Sequence, residues 1–481
     1  MNTKILTTAD EDLKIAADIL KNGGNVIFPT ETVYGLGADA TSPTAVKNIF
    51  KAKGRPSDNP LIVHVSSTDM LGGIVEDITD DARRLMDKFW PGPLTIILKK
   101  CKNVPYETTG GLDTVAVRMP KSEVARRLIE LSGIPIAAPS ANLSGKPSPT
   151  EAKHCIDDMM GRVDAIVSGE PCEVGLESTV IDMSGDLPTL LRPGGVTFEQ
   201  LSEVLGKVEC ATKLKEGEAV KSPGLKYKHY SPEAEVVILS GSFDEAESYI
   251  KKMSVNKKVG ILTFDEFPKI EGIASISLGS FKKAENAAHK LFAALREMDN
   301  LGVDIVYAPE IPENGVWMAV RNRLYRAAGE KIVKVSDKKK ILFVCTGNTC
   351  RSPMAEAMFN HFAKEKGVLA EAKSAGIFAS GGGVSKNSID AMAEIGIDIS
   401  AEVSKQISRE MTDSADLILT MSQSHKVMTE TMFGCNKAYT LGEFCGDGED
   451  VSDPFGGSLD TYKVCRDEIM QKIHKVIEII K

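Results

Sequence analysis

The chain has few of the features that membrane, disulfide-rich or nucleic-acid-binding proteins need. No apolar run in its 481 residues approaches the roughly 20 residues that span a bilayer, and residues 1–5 lack the apolar segment of a secretory signal. Its nine cysteines are scattered without a Cys-x-x-Cys pair, which disfavours a disulfide framework or a zinc site. The net charge of −9 has the wrong sign for non-specific nucleic-acid binding. We therefore expect a cytoplasmic protein with no membrane partner.

The composition is that of an ordinary globular protein, and the chain is too long to fold around one hydrophobic core. Hydrophobic residues make up 42% of the chain and charged residues 26%, as in typical folded domains. A chain of this length is expected to form two to four domains. Short apolar strand patterns such as Val26–Phe28 alternate with helical patterns such as Asp10–Lys21, which predicts α/β domains.

The segment from Cys345 to Ser352 carries the clearest chemical signal. The apolar run Ile341–Val344 before it predicts a buried strand, and Pro353–Met358 after it predicts the first turn of a helix. A loop between a strand and a helix N-terminus directs backbone N–H groups and the helix dipole at an anion. Arg351 would hold two phosphate oxygens, and the same positive field would favour a nucleophilic thiolate at Cys345. The alternative for Cys345 is a buried structural cysteine at a strand end.

This segment resembles the phosphate loop of the low-molecular-weight protein tyrosine phosphatase family, and the resemblance covers residues 338–481. It implies a Rossmann-like domain with Cys345 as nucleophile, Arg351 as phosphate ligand and Asp453, in an Asp-Pro sequence, as general acid. Without the cysteine loop, the Asp-Pro sequence would be interpreted as a plain turn. The other members of the phosphate loop would be Thr346, Gly347, Asn348, Thr349, Cys350 and Ser352.

Two positions bear on the substrate of this domain. Tyrosine-specific members usually have an apolar residue where this chain has Thr349, and an aromatic pair where it has Phe455-Gly456. These departures resemble the bacterial protein arginine phosphatase branch. We therefore expect phosphoprotein substrates, with phosphoarginine favoured over phosphotyrosine. Cys350 would either trap an oxidised Cys345 as a disulfide or serve as an inert loop residue.

In the N-terminal half, polar loops follow several short apolar strands. Lysines and an arginine flank Gly54, between a helix capped near Ser42 and the strand pattern Leu61–Val65, and two cations beside a glycine on a loop suit a polyphosphate. Open α/β sheets bind ligands outside their strand ends, so we expect the loops to share one cleft. The four loops are Lys51–Pro60, Pro139–Ser148, Gly175–Val180 and Leu191–Gly195.

Residues 1–205 resemble the YrdC/Sua5 family, which makes threonylcarbamoyl-AMP. The resemblance is carried by Lys53-x-Arg55, Ser140-x-Asn142, Pro29–Leu36 and Phe89–Thr95. It implies a YrdC-like α/β domain in which L-threonine captures bicarbonate as a carbamate, which attacks the α-phosphate of ATP and expels pyrophosphate. Mg²⁺ would accompany ATP. The product would pass to the downstream tRNA threonylcarbamoyl transferase machinery, for tRNA threonylcarbamoyladenosine.

The same resemblance implies the site residues. L-Threonine would be held by Thr32, His64, Arg118, Ala138 and Ser178, with Arg118 pairing the carboxylate. ATP would be held by Lys53, Arg55, Asn59, Thr114, Ser140, Asn142, Ser148, Arg192 and Tyr230. Taken alone, His64 is equally well a hydrogen-bonded core histidine, because it alternates with apolar neighbours on a strand. Thr114 and Arg118 are four residues apart on one strand pattern and would point to the same face.

Residues 206–232 have the composition of a charged linker. They also resemble the linker of long-form Sua5 proteins, which implies a lid over the nucleotide with Tyr230 as its principal contact. Residues 233–335 predict a small parallel α/β domain, and Arg321–Ala328 resembles the end of the Sua5 C-terminal domain. That domain shows no catalytic constellation, so we expect a structural or regulatory role.

The sequence thus predicts a bifunctional enzyme, a threonylcarbamoyl-AMP synthase followed by a cysteine-dependent protein phosphatase. The main alternative makes the N-terminal half an RNA-binding module joined to a protein tyrosine phosphatase. The acidic net charge argues against that alternative. A second alternative makes the C-terminal domain a reader of phosphorylated ligands that performs no hydrolysis.

Overall fold

The computed structural model describes residues 2–57, 59–211, 230–335 and 338–480. The chain divides into two compact units, residues 1–335 and 336–481. Both units combine β-sheets with helices, which confirms the α/β class predicted from the sequence. None of the helices in the described ranges has the length and apolar character of a bilayer-spanning segment.

The first part of unit one is built on eleven short strands. Their bounds are β1 Lys4–Leu6, β2 Val26–Phe28, β3 Gly35–Asp39, β4 Ile62–His64, β5 Leu94–Lys99, β6 Thr114–Arg118, β7 Ile136–Ala137, β8 Ala165–Val167, β9 Thr179–Asp182, β10 Thr189–Arg192 and β11 Glu209–Cys210. They form one mixed sheet in the order β1-β8-β2-β3-β7-β4-β6-β5-β9-β10-β11. Several strands that follow one another in the chain are not neighbours in this order, so loops from distant parts of the chain come together.

Helices and one 3₁₀ turn (Thr68–Gly73) connect these strands. Their bounds are α1 Asp10–Lys21, α2 Pro43–Lys53, α3 Asp80–Phe89, α4 Tyr106–Thr109, α5 Glu123–Ser132, α6 Ala152–Met159 and α7 Phe198–Leu205. The predicted helix at 10–21 and strand at 26–28 are confirmed. The Ser42 side chain caps α2 by accepting from the Ala45 N–H, and Gly54 ends it in the left-handed conformation (φ 62°). The prediction that Lys53 lies on a loop is wrong, because α2 continues through that residue.

The second part of unit one is a small α/β domain of five strands and three helices. Its elements are β12 Glu235–Ser240, α8 Phe243–Met253, β13 Val259–Thr263, β14 Ala274–Ser277, α9 Ala284–Asn300, β15 Ile305–Pro309, α10 Gly315–Ala327 and β16 Ile332–Lys334. All neighbouring strands are parallel, in the order β14-β13-β15-β12-β16, as predicted. The predicted helix near 319–328 begins four residues earlier, at Gly315. Residues 212–229, which hold most of the predicted linker, lie outside the described residues.

Unit two is a four-stranded parallel sheet covered by helices. Its elements are β17 Lys339–Cys345, α11 Arg351–Glu365, β18 Ala370–Gly376, α12 Lys386–Ala393, α13 Arg409–Ser414, β19 Leu417–Thr420, α14 Gln423–Phe433, β20 Ala438–Thr440, α15 Leu441–Cys445 and α16 Leu459–Ile480. The strand order is β18-β17-β19-β20. The buried central strand β17 ends at Cys345 and α11 begins at Arg351, which confirms the predicted strand–loop–helix arrangement.

Candidate active sites

The polar loops of the first domain meet in one cleft, as expected from their positions at strand ends. Ten of the fourteen residues predicted for L-threonine and ATP line it: Thr32, Arg55, His64, Arg118, Ala138, Ser140, Asn142, Ser178, Arg192 and Tyr230. The other four, Lys53, Asn59, Thr114 and Ser148, do not line it. Glu177 also lines the cleft, and the sequence prediction passed over it although it lies in a quoted loop.

Arg118 is the most strongly held cation of this cleft. Its side chain is buried and forms an ion pair with Glu31 at 2.6 Å. It also donates to the Thr32 hydroxyl at 2.9 Å and to the Gly92 carbonyl at 3.2 Å. Burial alone would raise the pKa of Glu31, but the Arg118 charge outweighs burial and the pKa is lowered. These contacts use three of the five N–H groups of the guanidinium and so fix the orientation of its plane.

A second buried arginine organises the opposite side. The Arg192 Nε donates to the Ser178 carbonyl at 3.0 Å, and one of its terminal nitrogens donates to the Ser178 hydroxyl at 3.2 Å. The Ser178 hydroxyl also lies 2.7 Å from the Thr95 hydroxyl. Burial lowers the pKa of Arg192 to about 10, so the side chain remains a cation near neutral pH.

His64 combines both interpretations that the sequence left open. It lines the cleft, yet its Nδ1 lies 3.1 Å from the Ile62 carbonyl and its ring packs edge-on against Phe28. Burial and the nearby charge of Arg118 lower its pKa to about 3. The imidazole is therefore neutral at physiological pH and serves as a polar wall rather than a cation.

Lys53 lies beneath the cleft, where it holds a loop of the wall. Its buried ammonium donates to the carbonyls of Ser140 and Asn142, at 2.5 and 2.6 Å. Burial, followed by repulsion from Arg55, lowers its pKa to about 7. Lys53 thus joins the end of α2 to the loop whose side chains reach the cleft.

The remaining predicted residues of the first domain have varied surroundings. The buried Ser148 hydroxyl donates to a Glu177 carboxylate oxygen at 2.5 Å. The side-chain amide of Asn59 is buried and has no hydrogen-bond partner among the residues that the structure describes. Thr114 begins β6, at the opposite end of that strand from Arg118. The buried Tyr230 has φ 65° and packs its ring 5.2 Å from that of Phe292.

In unit two, the loop after β17 wraps around Cys345. The backbone N–H of Asn348 donates to the Cys345 sulfur at 3.2 Å, and the Ser352 hydroxyl lies 2.9 Å from the same sulfur. Asn348 adopts φ 52°, a left-handed conformation that turns its N–H inward. These contacts fix the position of the sulfur within the loop.

The Asn348 side chain holds the loop in this shape. Its amide nitrogen donates to the Ser352 and Ser374 hydroxyls at 3.0 and 2.8 Å, and its oxygen accepts from the Lys405 backbone at 2.7 Å. The Ser374 hydroxyl in turn donates to Glu356 at 2.5 Å. Every polar atom of the Asn348 amide is used inside the fold, so its role is to position the loop.

Arg351 and Asp453 form an ion pair at 2.7 Å. A second Arg351 nitrogen donates to the Val451 carbonyl at 3.3 Å. The arginine is buried while the aspartate side chain is 55% exposed. The predicted phosphate ligand and the predicted general acid are therefore direct neighbours.

The side chains of Thr346, Thr349 and Cys350 contact groups other than the Cys345 sulfur. One residue next to the phosphate loop, His425, was not predicted. The Thr349 hydroxyl lies 3.5 Å from the Cys350 sulfur, which itself lies 3.3 Å from the Tyr462 hydroxyl. Cys345 and Cys350 are both free thiols. His425 lies 2.8 Å from the Thr346 hydroxyl, and burial and the charge of Arg351 lower its pKa. No local motif marked His425, because α14 delivers it to the loop from 79 residues further along the chain.

Comparisons with known proteins match both units. A family model described as "Telomere recombination" (Sua5/YciO/YrdC) matches residues 18–194, the threonylcarbamoyl-AMP synthase C-terminal domain matches 196–329, and the low-molecular-weight phosphotyrosine protein phosphatase family matches 340–481. Over 330 residues the chain is 47% identical to threonylcarbamoyl-AMP synthase of Pyrococcus abyssi. The match covers 67% of this chain and 96% of that protein.

Two further relatives agree with this division. Over 145 residues the chain is 43% identical to the protein-arginine-phosphatase of Bacillus subtilis, covering 29% of this chain and 96% of that protein. The crystal structure of P. abyssi Sua5 complexed with L-threonine matches with a TM-score of 0.66 and 45% identity, covering 69% of this chain and 99% of that one.

Fold, sites and relatives together define a chain with two α/β enzyme units. It belongs to the threonylcarbamoyl-AMP synthase family, and it carries in addition a domain of the low-molecular-weight protein phosphatase family. Both resemblances stated from the sequence are confirmed.

Proposed function

We propose that residues 1–335 convert L-threonine, bicarbonate and ATP into threonylcarbamoyl-AMP and pyrophosphate, for synthesis of tRNA threonylcarbamoyladenosine. The observation that carries this proposal is the shared cleft, where all five candidate threonine ligands meet five of the candidate ATP ligands. The P. abyssi relative in complex with L-threonine supports the choice of amino acid.

The cleft suits a carboxylate beside a phosphate chain. Arg118 keeps N–H groups beyond those bound to Thr32, Glu31 and Gly92, and these would pair the threonine carboxylate. Arg55 and Arg192 would neutralise phosphate charge. Because the carbamate is labile, the burial of Tyr230 at the cleft would help to exclude water.

ATP would enter as its magnesium complex. Within the ranges that the structure describes, no group of three or more His, Cys, Asp or Glu side chains is placed to hold a metal ion. Phosphate oxygens and water would therefore supply most of the Mg²⁺ ligands in this proposal.

Pyrophosphate release tests the synthase proposal. We expect wild-type protein to release pyrophosphate from ATP only when L-threonine and bicarbonate are both present. Arg118→Lys keeps the charge but loses the planar fork, and should raise KM for threonine by about tenfold to 100-fold. Arg127→Ala, which breaks an exposed ion pair with Asp10, is the matched control. RNA binding without pyrophosphate release would favour the RNA-binding alternative instead.

We propose further that residues 338–481 hydrolyse phosphorylated protein side chains through a phospho-cysteine. The Cys345 sulfur would attack phosphorus and the bond to the leaving group would break. Asp453 would protonate the leaving group and then activate the water that hydrolyses the phospho-cysteine. Incoming phosphoryl oxygens would compete with Asp453 for Arg351, releasing the acid as the substrate binds.

Within this proposal, phosphoarginine is the favoured substrate and phosphotyrosine the next. The identity with the B. subtilis protein-arginine-phosphatase, together with Thr349 and the single aromatic residue Phe455 after Asp-Pro, supports this order. Hydrolysis of the two phospho-amino acids in matched peptides, measured side by side, tests it directly. Faster hydrolysis of phosphotyrosine would contradict the order.

Rapid-mixing kinetics test the covalent step. We expect a burst of leaving group equal to the enzyme concentration with wild-type protein, and no burst with Cys345→Ser. Cys465→Ser is the matched control, since that thiol is a buried side chain of α16 and contacts the Ser452 carbonyl rather than the loop. Tight binding of phosphopeptide by wild type without turnover would favour the ligand-reader alternative.

A further inference from the structure

The side chain of Arg323, a residue of the second domain, forms contacts with the first domain. It lies on α10, and its side chain is fully buried. Its Nε forms an ion pair with the Glu177 carboxylate at 3.0 Å. Its terminal nitrogens donate to the carbonyls of Pro193 and Glu177, at 2.5 and 3.3 Å. One guanidinium therefore holds two separate loops of the first domain.

One of these loops carries the candidate ATP ligand Arg192, and the other is linked through Glu177 to the candidate ATP ligand Ser148. Glu177 accepts from Arg323 with one carboxylate oxygen and from the Ser148 hydroxyl with the other. Pro193 directly follows Arg192, which lines the cleft. Glu177 itself lines the cleft, so a shift of Arg323 would displace a residue of the cleft wall.

Other contacts of the second domain hold the same Ser148 loop. Arg296 on α9 donates to the Pro147 carbonyl at 2.6 Å and pairs with Asp158 at 2.7 Å. The Ser231 N–H donates to the Gly145 carbonyl at 2.9 Å. The loop is therefore held at Gly145 and at Pro147 by residues outside the first domain.

We propose that Arg323 is a positioning residue of the synthase site, which acts through Glu177 to hold the Ser148 and Arg192 loops in the geometry that binds ATP. This inference rests on the synthase function proposed above. It gives the second domain a defined task, since a side chain from α10 supports the loops that form the nucleotide half of the cleft.

Steady-state kinetics of pyrophosphate release by the full chain test this role. Because misplacing a bound substrate by about 1 Å can cost roughly 100-fold, we expect Arg323→Ala to lower kcat/KM for ATP by a factor of that order. KM for ATP should change more than KM for threonine, whose main candidate ligand Arg118 is anchored independently. Arg323→Lys keeps a charge but cannot reach all three acceptors, and should recover only part of the loss.

Glu177→Gln tests the same link from the other side. It should raise KM for ATP, and its effect should not add to that of Arg323→Ala, because both changes break one linkage. Additive effects would overturn the inference. This variant also keeps the test decisive if Arg323→Ala fails to fold, which its unfolding temperature would reveal.

Arg321→Ala is the matched control. Arg321 lies on the same helix, but its contacts with Ile311, Tyr325 and Glu313 all remain inside the second domain. We expect its kinetics to stay within twofold of wild type. If wild type is active and folded Arg323→Ala has unchanged kinetics, the inference fails alone. If wild type releases no pyrophosphate, the synthase proposal fails as well.

Discussion

At the scale of single residues, buried charge shapes both sites. Arg118 pairs with Glu31, Arg323 pairs with Glu177, and Arg351 pairs with Asp453. Removing water from such groups is costly unless partners and hydrogen bonds replace it, so each pair fixes the direction of its side chains. The candidate site residues are thus held in place by the fold itself.

His64 gives a pH prediction at this scale. Its pKa is about 3 in the folded protein, below the ordinary 6.5, so the unfolded chain binds more protons between those values. Stability should therefore fall as pH drops from 6.5 towards 3, by at most about 1.4 kcal/mol per pH unit from this group. His64→Asn should flatten that dependence between pH 6.5 and 3.

Urea unfolding followed by tryptophan fluorescence measures the stability of residues 1–335, the unit that contains His64. Both tryptophans of the chain, Trp90 and Trp317, lie in that unit. An equally steep pH dependence in His64→Asn would contradict the prediction.

Thr349 gives a specificity prediction at the same scale. Its side chain is part-buried in the phosphate loop, with the hydroxyl near the Cys350 sulfur. We expect Thr349→Ile to shift the ratio of kcat/KM values from phosphoarginine towards phosphotyrosine. Thr349→Val removes the hydroxyl at nearly constant volume and so separates its effect from that of size. An unchanged ratio in Thr349→Ile would contradict the assignment.

At the scale of elements, close backbone approach decides where the catalytic loops lie. Gly376 ends β18 directly against the phosphate loop, and a Cβ there would lie 2.8 Å from backbone atoms of Thr346, Gly347 and Asn348. Gly175 similarly faces the backbone of His289 on α9, where a Cβ would lie 2.5 Å away. Glycine is required at both places because backbone cannot move aside as a flexible side chain can.

Gly376→Ala should therefore displace the phosphate loop. We expect phosphatase kcat/KM to fall by about 100-fold, as for a misplaced catalytic group, while pyrophosphate release is unaffected. Gly383→Ala, where an added Cβ meets nothing within 4 Å, is the matched control. Equal activity of the two variants would show that the loop tolerates the added methyl group.

At the scale of the whole molecule, the two candidate sites lie in separate compact units. The residues that line the synthase cleft lie between Thr30 and Arg192, together with Tyr230, whereas the phosphatase loop begins at Cys345. Each site should therefore respond only to changes in its own unit.

Variants of the ATP-side cations test this independence. Lys53→Ala removes the tie between α2 and the Ser140–Asn142 loop, and Arg55→Ala removes a cation of the cleft wall. We expect both to abolish adenylate formation and to leave phosphatase kinetics within twofold of wild type. Loss of both activities, with circular dichroism showing folded protein, would argue against independent sites.

Much of the chemistry was predictable where one continuous segment encodes it. The strand, loop and helix around Cys345 follow from local patterns, as do the Ser42 cap of α2 and the polar loops at strand ends. Lys53 was placed on a loop because Gly54 suggested a turn, whereas that glycine ends the helix one residue later.

By itself, the sequence determined which segments are candidates for anion binding, since the required residues are contiguous and their patterns are local. Only the tertiary structure decided which charges meet. Arg323 and Glu177 are 146 residues apart, Arg351 and Asp453 are 102 apart, and Thr346 and His425 are 79 apart. Such pairs depend on strand order and on the burial of at least one partner, and no local pattern records them.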